Sequence, residues 1–142
     1  MRTSSIAEQS TRYCNYSKKK FGGEVTFVIP SWLNFKEGTY TGKDCYDDFY
    51  TNDSVEYDFM IHLLTAEATY LKLIKDGWQP QQAREVLPLA TATEVVYTAF
   101  EDDWEHFFDL RYRGTTGLPH PNAQQVASMA HDLIIKELGK DL

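Results

Sequence analysis

Three arginine-bearing stretches carry most of the chemistry in this chain. They are Glu8-Gln9-Ser10-Thr11-Arg12-Tyr13, Gln81-Gln82-Ala83-Arg84-Glu85-Val86-Leu87-Pro88 and Trp104-Glu105-His106-Phe107-Phe108-Asp109-Leu110-Arg111. A guanidinium is a planar, permanently charged fork of donors that matches a phosphate, a carboxylate or an imide edge. Three such groups in a chain of net charge −7 point to an anionic small ligand held at several points. Beside Arg12 lie the hydroxyls of Ser10 and Tyr13, with Glu8 upstream, a set that suits a phosphate or a uracil-like edge. The same residues would also cap the start of a helix. Arg84 stands between Pro80 and Pro88, on a rigid platform, with Glu85 as the competing intrahelical partner. Trp104, Phe107, Phe108 and Arg111 recur at i, i+3, i+4 and i+7, so the cation projects from an aromatic stripe. There it either pairs with an anion or snorkels at a helix C-terminus, where the dipole favours positive charge.

The remaining polar residues exclude more than they propose. The spacing turns His106 away from Arg111, with Asp102 and Asp103 one turn earlier, which reads as surface electrostatics. His62, His120 and His131 have no metal-ligand spacing, and no metal is expected. Lys18-Lys19-Lys20 reads as a solvated charge run that could draw anions to a site. No nucleophile elbow is present, and Gly22-Gly23 follows no strand, so neither a hydrolase triad nor a phosphate loop is supported. Cys14 and Cys45 fit neither a zinc spacing nor a disulfide framework and read as reduced thiols. The acidic balance argues against general nucleic-acid or membrane-surface binding. With no long apolar run and no signal peptide, the expectation is a soluble, cytoplasmic protein.

These residues need elements to position them, and 142 residues suit a single domain spanning 1–142. Residues 24–29 (EVTFVI) read as a strand with Val25, Phe27 and Ile29 on one face, ended by Pro30. Residues 30–52 fit no period and read as loop. Asp53 and Glu56 form a capping box for a helix over 54–76. Phe59, Leu63, Ala66, Tyr70 and Leu73 make its apolar stripe, and Met60, Leu64, Leu71 and Ile74 widen it. So broad a face is buried between layers or between subunits. Gly77 stops that helix, Pro80 opens a short second one and Pro88 closes it. Residues 91–98 (TATEVVYT) read as a strand, and Glu101-Asp102-Asp103 opens a helix to about Tyr112. Residues 114–117 are loop, and 121–138 form the last helix, with Ala123, Val126, Ala127, Ala130, Leu133 and Ile134 facing inward. The sum is α/β in composition (α+β in arrangement), a mixed domain with short strands and a helix-rich second half.

Taken together, the three stretches resemble the flavin-dependent thymidylate synthases. That family's signature is Arg-His-Arg-x-x-Ser-x-Asn-Glu-x-Ser-x-Arg-Tyr, and Arg2, Ser5, Glu8, Ser10, Arg12 and Tyr13 fall at its spacing. Pro80 to Arg84 with Leu87-Pro88, Trp104 to Arg111, and Pro119-His120-Pro121 before Ala123-Gln124 resemble its second half in order and separation. The resemblance implies a thymidylate synthase-complementing fold and conversion of dUMP to dTMP. Methylenetetrahydrofolate would be the carbon donor and FAD, reduced by NADPH, the cofactor. It places Glu8, Gln9, Ser10, Thr11 and Arg12 on dUMP, with Ser10 and Arg12 near the phosphate. Arg84 would reach the same nucleotide from a neighbouring subunit. Arg111 would act catalytically, pairing with the pyrimidine carbonyl edge and favouring ionisation at N3. Arg2 and His106 would contact FAD, and the assembly would be a homotetramer with shared active sites. The signature's first Arg is missing, and the chain departs from the pattern at four further positions. Met1 stands at the signature histidine, Ala7 at its asparagine, and Phe100 and Asp102 where relatives use Asn and Arg for flavin. Family members also carry a region ahead of the signature, so the expectation is a truncated, split or interrupted synthase, with a separate N-terminal segment as a possible partner. The alternative is a non-catalytic nucleotide-binding or assembly protein derived from that family.

Overall fold

The broad apolar face read for residues 54–76 folds as helix α1, Val55–Lys75, in a computed structural model that describes residues 4–41 and 55–139. Met60, Leu63, Ala66 and Tyr70 are buried, and Phe59, Leu64, Leu71, Leu73 and Ile74 flank them half-buried. Glu56 and Asp58 lie in the first turn and Lys72 and Lys75 in the last, each charge matching its end of the dipole. Asp53, the expected cap, lies outside the described residues. The stop is a Schellman pair. Gly77 N–H donates to the Ile74 carbonyl at 3.1 Å and Trp78 N–H to the Leu73 carbonyl at 3.0 Å, with Gly77 at φ +95°.

After it, Pro80 opens the short helix α2, Pro80–Ala83, which tightens into a 3₁₀ turn over Arg84–Val86. The Gln82 side chain accepts from Gln79 N–H at 3.0 Å, satisfying one donor at the start of the helix. Strand β1, Ser5–Glu8, pairs with β2, Val95–Thr98, in an antiparallel two-stranded sheet. Helix α3, Glu101–Phe108, runs into a π-helical turn, Asp109–Arg113, that Gly114 ends at φ +68°. Helix α4, Pro121–Leu138, has the bounds the sequence suggests. The result is a mixed α+β chain, and among the described residues no helix is long and apolar enough to cross a membrane.

Chain contacts divide the molecule into two compact units, one running from Glu8 to Glu94 and the other joining the chain's start through Ala7 to the part from Val95 onward. In the Glu8–Glu94 unit the core is Cys14, Tyr16, Val25, Tyr70 and Ala83, with Phe27, Leu71, Leu73, Ile74 and Leu87 packed on it. The Tyr70 hydroxyl accepts from Tyr16 N–H and donates to the Cys14 carbonyl, both at 3.4 Å, and the two tyrosine rings meet edge-on at 5.7 Å. In the other unit Phe108 and Ala127 are fully buried, and His131 lies edge-on to Phe108 at 5.0 Å.

Several expectations change. The strand over 24–29 shrinks to a single antiparallel bridge, Phe27 to Thr91. Two bonds frame it, Val28 N–H to the Ala90 carbonyl at 2.7 Å and Ala92 N–H to the Thr26 carbonyl at 2.9 Å. Pro30 and Pro88, with no N–H to donate, both stand at the same end of it. The alternation itself holds, since Val25 is buried and Phe27 and Ile29 are half-buried while Thr26 and Val28 are exposed. Likewise the strand expected over 91–98 is regular only over 95–98. On α4, Val126 and Leu133 are exposed rather than inward, and His131 takes the buried position beside Ala127.

Candidate functional site

In the Glu8–Glu94 unit, Glu8, Gln9, Ser10, Thr11 and Arg84 line one hollow of about 250 Å³. Ser10 shapes its floor. Its Oγ accepts from Arg12 N–H at 3.3 Å, and its carbonyl accepts from Tyr13 and Cys14 N–H, each at 3.1 Å. Ser10 thus caps a single helical turn, as a helix N-cap does. Gln9 is tied on the other side, where its N–H donates to the Glu94 carbonyl at 2.8 Å and its carbonyl accepts from Thr93 Oγ1 at 3.0 Å. Arg84 enters from the 3₁₀ turn between the prolines and donates from a terminal nitrogen to Thr11 Oγ1 at 3.2 Å. Its Nε lies 3.7 Å from Glu85 Oε1, a partly exposed pair that holds the side chain only weakly. The contact with Glu85 that the sequence suggested for Arg84 is present. The residue expected to act from a neighbouring subunit is hydrogen-bonded to the signature loop of its own chain.

Arg12 lies apart from this set. It is exposed, with its guanidinium 4.4 Å from the centroid of the Tyr13 ring and hydrogen-bonded to the Tyr13 hydroxyl. The exposed Lys18, Lys19 and Lys20 sit at a 3₁₀ turn, Lys19–Phe21. Arg2 and Cys45 lie outside the described residues.

In the other unit a hollow of about 590 Å³ is lined by Tyr97, Asp103, Trp104, His106, Phe107 and Arg111, with Ser4 and aliphatic side chains completing the wall. Here the structure corrects two readings. His106 does not face away from Arg111, because both line this space. Nor are His106 and Asp103 an exposed surface pair, since Asp103 is 8% exposed and His106 half-buried. The second reading fails within the regular helix, where Asp103, His106 and Phe107 share a face; the first involves the π turn. A π-helical step advances the side chain through a smaller angle than an α step, so Arg111 falls back toward the line of Phe107 and away from buried Phe108. The stripe therefore splits. Phe108 packs into the core, while Trp104 and Phe107 face the hollow with Arg111 exposed at its rim.

The rings are mutually oriented. Tyr97 lies edge-on to Trp104 at 4.9 Å, and Trp104 edge-on to Phe107 at 5.6 Å. Such walls suit a planar ring system with a polar edge, which His106 and Arg111 could meet. Reading the sequence missed Asp103 as a wall residue, although Asp103, His106, Phe107 and Leu110 stand at i, i+3, i+4 and i+7. It also missed that Gln124 reaches back from α4 to the π turn. Among the described residues, no group of His, Cys, Asp and Glu is arranged to hold a metal ion.

Comparison with known proteins gives one match of nearly full length. No curated protein matches the chain. The family described as thymidylate synthase complementing protein matches residues 1–138 of the 142. The signature loop, the Arg84 platform and the aromatic helix ending in Arg111 all fall inside that match, and the chain belongs to the thymidylate synthase complementing protein family.

Proposed function

We propose that this chain binds deoxyuridine monophosphate as part of a flavin-dependent thymidylate synthase, which methylates the uracil ring at C5. The observation that carries this reading is the hollow in which Glu8, Gln9, Ser10 and Thr11 meet Arg84. Arg84 and the Ser10 hydroxyl address the phosphate, and Arg12 joins them by leaving Tyr13. Arg111, held at the rim of the aromatic hollow, donates to the pyrimidine carbonyl edge of a nucleotide carried by a neighbouring subunit. A fixed cation there stabilises the negative charge that develops as N3–H ionises. The assembly on this reading is a homotetramer.

Tyr97, Trp104 and Phe107 offer faces and edges for a planar ring, and His106 a hydrogen-bonding group. FAD, reduced by NADPH, would supply the redox chemistry when bound, and methylenetetrahydrofolate the carbon. The chain's own residues bind, orient and polarise. Arg111→Ala is expected to weaken calorimetric affinity for deoxyuridine monophosphate by about 2–3 kcal/mol, the scale of a lost charged hydrogen bond. An unchanged affinity refutes that role.

One observation favours a second reading, a nucleotide-binding or assembly protein without redox activity. Phe100 and Asp102, both exposed, stand where the family resemblance expects Asn and Arg for flavin, and Arg111 is the one Lys or Arg among the described residues lining the hollow. Protein that stays colourless with added FAD yet binds the nucleotide selects this reading. A bound flavin spectrum, with bleaching by NADPH, selects the first.

A further inference from the structure

A π-helical turn has looser hydrogen bonding than the α-helix it interrupts and persists where its surroundings hold it. Here it covers Asp109–Arg113 and places Arg111 at its centre. The contacts that hold it avoid Arg111. The Asp109 carbonyl accepts from Gly114 N–H, from Thr115 N–H at 3.0 Å and from Thr115 Oγ1 at 3.2 Å. The Asp109 carboxylate is taken by Arg113 at 3.0 Å. Tyr112 packs its ring against His131 of α4 at 5.0 Å. The carbonyl of Tyr112 would have no helical donor at this end of the helix, and it accepts from Gln124 Nε2 at 3.1 Å. Arg111 itself forms no ion pair among the described residues, so its guanidinium stays available at the rim of the hollow.

We infer that Gln124 is a positioning residue for Arg111, its side-chain amide holding the Tyr112 carbonyl so that the π turn presents the guanidinium to the pyrimidine. This rests on the proposed role of Arg111 in binding deoxyuridine monophosphate. Gln124 touches no ligand, and its effect passes through the backbone one residue beyond the arginine. Were the turn to relax to α-helix, Arg111 would swing off the line of Phe107, out of register with the hollow.

The test is a double-mutant cycle read by calorimetric titration of the full chain with deoxyuridine monophosphate, beside thermal midpoints. Gln124→Ala is expected to weaken affinity about 3- to 10-fold, the reach of one neutral hydrogen bond. In the Arg111→Ala background the same change should have less than about a two-fold effect. Gln124→Lys, which can still donate to the carbonyl, should restore most of the affinity, and Gln124→Glu, which cannot, should not. Equal weakening in both backgrounds, or none in either, overturns the positioning role while leaving Arg111 as a ligand. An Arg111→Ala chain that binds as tightly as wild type, or a wild-type chain that binds no nucleotide, overturns the underlying reading and this inference with it.

Discussion

Arg84 shows how far a single residue could be read. Its proline-bounded segment and its acidic neighbour were both legible, and both appear in its contacts with Thr11 and Glu85. Its partnership with Thr11 of the same chain was not legible, because the two are joined only through the folded unit. Arg84→Lys keeps the charge but exchanges a fork of donors for a point charge. It should lose about 1–2 kcal/mol of affinity for deoxyuridine monophosphate, while Arg84→Ala loses more. Calorimetry on the pair checks this, and equal affinities for the two variants would reduce Arg84 to a packing residue. At His106 the reading failed for a definite reason. Angles counted at a uniform helical period put it opposite Arg111, and a π turn is not written in composition or spacing.

At the scale of elements, the helices were the legible part. Long 3.6-residue periodicity and flanking Gly and Pro marked α1 and α4 within a residue or two. The strands were legible as faces but not as ladders, because a pairing depends on a partner far along the chain and the prolines at 30 and 88 restrict it. Two glycines separate conformational cost from crowding. Gly77 and Gly114 both have positive φ, but a methyl group on Gly77 meets nothing within 4 Å. One on Gly114 would lie 3.0 Å from Pro119 Cδ and 3.1 Å from the Gly117 carbonyl oxygen. Gly77→Ala should cost about 1–2 kcal/mol for the left-handed conformation alone. Gly114→Ala should cost more, with the excess reading the crowding at the end of the π turn. Denaturation midpoints on the two variants measure the difference, and equal losses would mean the Pro119 loop yields freely.

For the molecule as a whole, the class and the acidic balance were legible from composition and pattern, whereas the division into two units was not, since one unit joins stretches far apart in the sequence. Stability at high pH follows from the tyrosine pair of the Glu8–Glu94 unit. Burial, foremost, raises the phenols of Tyr16 and Tyr70 above their ordinary value of 10.0, and nearby Cys14 adds to both. The bond from Tyr16 N–H to the Tyr70 hydroxyl pulls the other way at Tyr70. An unfolded chain loses these protons as pH rises through 10.0, while the folded chain keeps them longer. The native state then binds more protons than the unfolded one, so stability is full below 10.0 and falls as pH climbs toward the folded values. Urea midpoints should drop above pH 10.0 more steeply in wild type than in Tyr70→Phe. Parallel curves would assign the loss to other groups.

The same core holds Cys14, 7% exposed, with its carbonyl tied to the Tyr70 hydroxyl. A shielded sulfur of this kind is a natural clock for breathing of the core. In a chain carrying Cys45→Ser, an alkylating reagent can reach Cys14 only when the packing around Tyr70 parts. The rate of modification should therefore level off as reagent is raised, and the plateau is the opening rate itself. Reaction as fast as a free thiol, with no plateau, would mean that the sulfur stands open to solvent in the resting fold.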